Sequence, residues 1–364
     1  MLCIAAFIVL LFLAAVSAKY RKMLRRAWDC VARKATFRPC DTSFRQDITD
    51  SILAPVALRS PRMVKPAAFL IEVVAWLMVI SLFVSLYIVA RSGLNLMVYG
   101  TCDKADPAAC SLSSTQGCGI GTGRPGFGES LLSGDVVGAF GNEFADLGDT
   151  ISAVPGTFRS WDAADYVLPQ ASYQGGYREG RPTALEVIDP GCQFCAQLFT
   201  NVEQSGFAES HNVTYIVYPI GLGLAPRFAN SPLIAEYLTA VRLSEAEQAG
   251  AGARVDNPTD WFILEQIFTG TRPDGTKWQT WFNEHATPDE ARAQLEAWLG
   301  EAGYDAAAIA RITELANSDR VEQEILSGMR VVDDEIETVT IPSLIADGDL
   351  HKGAVEVEKL QEMR

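Results

Sequence analysis

The sequence predicts an α/β domain broken by a helical insertion and preceded by a two-helix transmembrane hairpin. Two long segments near the start carry almost no charge, and a strand-turn-helix pattern runs through residues 182–199. Helical periodicity then fills residues 226–330 before strand signals return.

Residues 2–18 carry no charge, and residues 66–90 carry only Glu72, so each is long and apolar enough to cross a bilayer. Between them, residues 19–65 hold 12 Lys and Arg against 4 Asp and Glu. Basic residues in short loops stay on the cytoplasmic side, which makes this loop cytoplasmic. Residues 92–364 hold 17 basic and 40 acidic residues and are expected outside. The expectation is a two-pass protein of the cell membrane: helix 1–18, basic loop 19–65, helix 66–91, with the N-terminus and C-terminal domain extracytoplasmic. Val16-Ser17-Ala18 offers the alternative of a cleaved signal peptide. That alternative lacks positive charge ahead of its apolar core and would place the basic loop outside. The acidic ectodomain excludes nucleic acid as a partner, since phosphate contacts need clustered Lys and Arg. The basic cluster Lys19 to Arg26 abuts a membrane segment and reads as an anchor to anionic headgroups.

The eight cysteines sort by predicted compartment. Cys30 and Cys40 fall in the cytoplasmic loop. Cys102, Cys110 and Cys118 follow the second membrane segment, and Cys192 and Cys195 lie in the distal domain. Three juxtamembrane thiols leave one unpaired in an oxidising compartment. Cys3, at the outer end of the first helix, is a candidate to complete two structural disulfides among Cys3, Cys102, Cys110 and Cys118. Alternatively Cys3 is a small apolar residue within that helix. Only His211, His285 and His351 exist, none at ligand spacing from a cysteine pair, and no Cys-x-x-Cys-His is present, so neither metal nor haem is expected.

Residues 92–180 read as a Cys- and Gly-rich linker region, with Gly117 to Gly128 too glycine-rich to fill a core. Residues 129–159 have too weak a period to assign. Residues 181–364 form the distal domain. Its first strand is Thr183 to Asp189, ended by Pro190 and Gly191. A helix follows, with Cys195, Leu198 and Phe199 on one face, and Val213 to Tyr218 is a second strand. After the insertion 226–330, strand signals return at Glu337 to Ile345, Asp347-Gly348 marks a hairpin, and Ala354 to Met363 is an amphipathic helix.

A Cys-x-x-Cys pair at the start of a helix brings both sulfurs to one end of that helix, where they can bond and separate with little backbone movement. Unpaired N–H groups and the positive end of the helix dipole favour thiolate there. Such thiols titrate from near neutrality down to about 3.5, against about 8.5 for free cysteine. Cys192 is therefore the candidate nucleophile. Cys195, a turn further in, is the candidate resolving thiol. The alternatives are a permanent disulfide or half of a zinc site.

Asp189-Pro-Gly-Cys192-Gln-Phe-Cys195 after an apolar strand, Glu186 six residues before Cys192, and Thr340-Ile341-Pro342 further on resemble the thioredoxin superfamily, in its DsbA-like branch. The resemblance covers residues 180–364 and implies a thioredoxin fold with an inserted helical subdomain. It implies that Glu186 is a buried acid exchanging protons with the resolving cysteine, although Glu186 also reads as an ordinary polar residue on a strand's open face. It further implies that Pro342 is cis and that Ile341 pairs with an extended substrate chain. The Gln-Phe dipeptide and Ile341 depart from the common family residues, which leaves direction of electron flow and substrate preference open.

The expected function is membrane-anchored, extracytoplasmic thiol-disulfide exchange that forms, reduces or isomerises disulfides in secreted or envelope proteins. Its partners would be protein thiols or disulfides and a membrane redox protein, and no cofactor is required. Two alternatives are a non-catalytic thioredoxin-fold subunit of a larger membrane assembly, and an electron relay involving Glu72, Cys30 and Cys40.

Overall fold

The computed structural model describes residues 58, 61–104, 116–121, 123–250 and 254–363. They divide into two compact units at Arg91 and Ser92. Helix α1, Val64–Tyr99, follows a short turn at Pro61–Met63 and crosses that division. Among the described residues it is the one helix long and apolar enough to cross a membrane. Its 36 residues exceed the roughly 20 that a bilayer core requires. Leu70, Leu77, Phe83 and Val89 are exposed along it. The earlier predicted membrane segment, residues 1–18, lies outside the described residues with Cys3, Cys30 and Cys40. One helix of this kind therefore lies within the described residues, and the second helix of the predicted hairpin is not shown.

After the end of α1, the second unit continues with a two-residue strand, β1, Cys118–Gly119. Helices α2, Phe127–Leu132, and α3, Val136–Ser152, come next, in the stretch whose periodicity was too weak to assign. The start of α3 is fixed by Asp135, whose carboxylate accepts a bond from the Gly138 N–H at 2.7 Å. The region 92–180 thus holds regular structure beyond a linker.

Strand β2, Thr183–Ile188, leads through a tight turn into α4, Gln193–Ser205, and then to β3, Asn212–Val217. The chain next builds a helical layer from α5, Ser231–Ala249, α6, Thr259–Thr269, and α7, Trp278–Glu284. It continues with α8, Pro288–Glu301, α9, Ala306–Ala316, and α10, Asp319–Arg330. Strands β4, Thr340–Ile341, β5, Ser343–Ala346, and β6, Asp349–Lys352, precede the closing helix α11, Val357–Glu362.

Four strands form one sheet in the order β3-β2-β5-β6, with β2 and β3 parallel and the other pairings antiparallel. A β-α-β unit followed by a β-hairpin and a helix, with helices inserted between the two halves, is the thioredoxin fold in its DsbA-like form. The strand expected over Glu337 to Ile345 is split at Pro342, which has no N–H to give to a ladder. The halves serve different partners: β4 pairs with β1, and β5 with β2. Asp347 and Gly348, both at positive φ, make the β5–β6 hairpin turn as their sequence suggests.

Strands β2, β3 and β5 are buried along nearly their whole length, whereas the edge strand β6 is partly exposed. Helix α4 buries Cys195, Leu198 and Phe199, the predicted face, together with Val202. The insertion is fastened to this helix by aromatic contacts from Phe199 to Trp261 and Phe268 of α6, with ring centroids 6.3 and 5.5 Å apart. Trp278 and Phe282 of α7 pack in turn on Trp298 of α8. This packing fixes α7 across the turn between β2 and α4.

Candidate active site

Cys192 is the N-cap of α4, in extended conformation and with no side-chain cap on the helix. Its sulfur therefore meets a helix end whose first N–H groups have no intrahelical partner. The turn before it is held from three sides. Asp189 is fully buried, and its carboxylate accepts bonds from the Gly191 N–H at 2.8 Å, the Ile220 N–H at 2.7 Å and the Ser231 hydroxyl. From α7, the Gln279 amide donates to the carbonyls of Pro190 and Cys192, at 2.8 and 3.0 Å. Asn283, one turn along α7, donates to the Gly191 carbonyl at 2.8 Å. Gly191 itself is required by space, since a Cβ there would lie 2.3 Å from the Phe228 side chain.

Cys195 is a free, buried thiol, and the backbone N–H of Asp189 donates to its sulfur at 3.4 Å. Burial pushes this thiol well above its ordinary range, and the carboxylates of Asp189 and Glu186 add to the effect. Glu186 lies in the middle of β2, opposite Tyr215 and Leu344, with 2% of its surface exposed. Burial raises its carboxyl to about 8, so it is mostly protonated at neutral pH. Asp189 is raised to about 6 by burial, partly offset by the three bonds it accepts and by the charge of Arg227.

The Ile341–Pro342 peptide is cis, and the Ile341 carbonyl oxygen lies 3.6 Å from the Cys192 sulfur. The structure thus gathers Glu186, Cys192, Cys195, Ile341 and Pro342 around one helix end.

The bonding of the cysteines differs from the expectation. Cys192 is joined to Cys118, 74 residues earlier, with Cα atoms 6.4 Å apart, and Cys195 is left reduced. Cys118 was expected to join a juxtamembrane disulfide, and Gly117 to Gly128 to be a flexible spacer. Both expectations are corrected by β1, which pairs antiparallel with β4 and sets Cys118 opposite Ile341 and Gly119 opposite Thr340. Glycine allows this close approach, because a Cβ on Gly117 would lie 2.4 Å from the Thr340 methyl. Cys102 is disulfide-bonded, whereas Cys3 and Cys110 lie outside the described residues.

Ser231, Gln279, Asn283 and Arg227 were not singled out in the sequence, and Asp189 stood there only as the first residue of the cysteine motif. Asp189 had a local signal, an aspartate two residues before a glycine, which is the spacing of an Asx turn. Gln279 and Asn283 stand four apart on one helix face, but nothing local says what that face meets. Among the described residues no group of His, Cys, Asp and Glu is arranged to hold a metal ion.

No protein-family model matches the chain, and no curated protein does. Among solved structures, it is similar to a thioredoxin-like oxidoreductase from Silicibacter pomeroyi DSS-3, at 20% identity and a TM-score of 0.37, over 54% of this chain and 91% of that one. It is also similar to the thiol-disulfide exchange protein alpha-DsbA2 from Wolbachia pipientis, at 18% identity and a TM-score of 0.34, over 53% and 87%. The oxidoreductase DsbA from Xylella fastidiosa matches at 16% identity and a TM-score of 0.33, over 53% and 87%.

Proposed function

We propose that this chain is a membrane-anchored thiol-disulfide oxidoreductase that acts outside the cytoplasm on protein thiols or disulfides. Cys192 is the nucleophile, Cys195 the resolving thiol, Glu186 the proton acceptor, and the Ile341–Pro342 edge the place where a substrate strand lies. The observation that carries this is the position of Cys192, at an open helix end and against the Ile341 carbonyl, with reduced Cys195 buried behind it beside Asp189 and Glu186.

The chemistry needs no cofactor. A thiolate at Cys192 attacks a substrate disulfide, forming a mixed disulfide and releasing one substrate thiolate. Cys195 then attacks Cys192, the second substrate sulfur leaves, and a Cys192–Cys195 disulfide forms. In the oxidising direction the same steps run backwards. Cys195 must lose a proton that burial makes it hold tightly, and ionised Glu186 is the neighbouring group to take it. A membrane redox protein would then recycle the pair. Helix α1 supplies the anchor, and the acidic charge of residues 92–364 favours the outer side.

The test is to poise the full-length protein in detergent against glutathione mixtures and measure the potential of Cys192, alongside insulin reduction and oxidation of a reduced substrate. Activity in either assay that disappears in Cys192→Ser is the expected result, and the potential sets the direction. A Cys192 that no physiological potential reduces would favour the second reading, a non-catalytic subunit of a membrane assembly stapled by Cys118–Cys192.

A further inference from the structure

The segment 116–120 occupies the edge where a substrate strand is expected. It pairs antiparallel with β4 through Cys118 and Gly119. Two more backbone bonds extend the pairing: Ile120 N–H to the Val339 carbonyl at 3.0 Å, and Ala354 N–H to the Gln116 carbonyl at 2.8 Å. From the start of the insertion, the Arg227 guanidinium donates to the Gly119 carbonyl at 3.1 Å. Gly117, Cys118 and Gly119 are buried, and β1 has no strand partner besides β4 among the described residues. Its one cysteine is bonded to the candidate nucleophile. Main-chain pairing to an exposed edge, with one side chain engaged in the site, is how extended peptides are recognised by strand addition.

We infer that residues 116–120 are a tethered internal substrate and that Cys118 is a third redox cysteine, closing the site until Cys195 displaces it. This rests on the thiol-exchange reading above. The step is an isomerisation without net oxidation. The Cys195 thiolate attacks the Cys192 sulfur, the Cys118–Cys192 bond breaks, and a Cys192–Cys195 bond forms. Cys118 leaves as a thiolate and takes up a proton equivalent to the one Cys195 gave up. One disulfide exists before and after, so no external oxidant or reductant is consumed. In the first form the edge of β4 is filled and Cys192 is shielded. In the second the edge can receive an external chain and Cys192 is open to its thiolate.

The same contacts state what an external chain must look like. It is an extended strand with a cysteine opposite Ile341 and a small residue before that cysteine, because the Thr340 methyl leaves no room for a Cβ there. A cavity of about 300 Å³ beside the disulfide, lined by Phe194, Phe228, Arg227 and Asn283, has space for side chains flanking the cysteine.

The experiment uses the oxidised full-length protein, quenched in acid, alkylated and mapped by mass spectrometry. The expected result is two isomers, Cys118–Cys192 and Cys192–Cys195, with Cys195→Ser confined to the first and Cys118→Ser to the second. The probe in trans is a reduced synthetic peptide of residues 115–121. If the closed form holds nine-tenths of the protein, Cys118→Ser should react with it about tenfold faster than wild type. A Gly117→Val variant keeps all the thiols and removes only the fit against Thr340. It should shift the isomers toward Cys192–Cys195, which covers the case in which Cys118→Ser does not fold. Wild type found solely as Cys118–Cys192, with neither variant reacting faster with the peptide, would overturn the inference. If Cys118→Ser then still reduces insulin or oxidises a reduced substrate, thiol exchange stands and only the internal substrate is lost. If no form exchanges with any thiol, the parent reading is lost as well.

Discussion

Gln279 donates its amide to the backbone carbonyl of Cys192 from a helix that begins 86 residues later in the chain. The same nitrogen also holds the Pro190 carbonyl, so one side chain of the insertion fixes both ends of the turn that presents the nucleophile. Replacing Gln279 with Ala leaves two carbonyls without this donor in a buried place. The expected cost is about 1–3 kcal/mol. Urea unfolding followed by tryptophan fluorescence reads the stability, and iodoacetamide trapping of reduced Cys192 reads the effect on the thiol. An unchanged urea midpoint and an unchanged alkylation rate would separate α7 from the site.

Glu186 gives the site a pH dependence whose sign follows from its burial. Its carboxyl is raised from 4.5 to about 8, so the folded protein binds more protons than the unfolded chain between those values. The stabilisation tied to that proton is complete below about pH 4.5 and is lost as pH rises through about 8. Glu186→Gln keeps the shape and removes the titration. Its stability relative to wild type should therefore improve as pH is raised from 5 to 8.5 in the measurement, by on the order of several kcal/mol. Exchange should move the other way. With Cys195, Asp189 and Glu186 the titrating groups here, wild-type turnover should rise toward pH 8 as Glu186 ionises, and the Gln variant should be slower and lack that inflection. Parallel pH profiles of wild type and variant would sink this role for Glu186.

Asp189 ties the same turn to the start of the insertion through Ser231 and to the end of β3 through Ile220. Asn at this position has one acceptor oxygen where the carboxylate has two, and its NH₂ would face existing donors. Asp189→Asn should lose about 2 kcal/mol or more at pH 7, where the native carboxylate is ionised and accepts all three bonds. The loss should be larger at pH 4.5, because Asp189, raised from 3.8 to about 6, takes up its proton in the folded state before the unfolded chain does, which stabilises wild type at low pH and has no counterpart in Asn. Urea midpoints of both proteins at the two pH values check this. A smaller loss at the lower pH would contradict the assignment.

Local chemistry made the β-α-β start, the helix face of Cys195, Leu198 and Phe199, the Asp347-Gly348 turn and the proline edge legible in the sequence. Each is a short-range consequence of backbone preference or periodicity. The pairing of Cys118 was hidden because glycine-rich composition signals freedom when a segment is read alone. Here that composition permits a close approach to a strand more than 200 residues away. Gln279 and Asn283 were hidden for a related reason. Amides on a helix announce a polar face, and only tertiary packing decides that the face meets the carbonyls of residues 190–192. Asp189 stood in a recognisable Asx position, but its bonds to Ile220 and Ser231 belong to the assembled domain.

The bond between Cys118 and Cys192 changes what a trapping variant should capture. In a two-cysteine enzyme, removing the resolving thiol leaves mixed disulfides with substrates, because nothing internal displaces them. Here Cys195→Ser still has Cys118 seated on the edge of β4, next to the sulfur it would reclaim. The single variant should therefore accumulate the internal Cys118–Cys192 form and few external adducts. Cys118→Ser combined with Cys195→Ser removes both competitors and should yield abundant mixed disulfides through Cys192. These are visible as reducible high-mass bands on nonreducing gels of alkylated membranes. The effective concentration of a tethered partner is about millimolar, well above that of most protein thiols, so the difference between the two variants should be at least about tenfold. Equal trapping by both would mean that Cys118 does not compete for Cys192. Absence of adducts from the double variant, after reduction and exposure to oxidised envelope proteins, would remove Cys192 as the nucleophile.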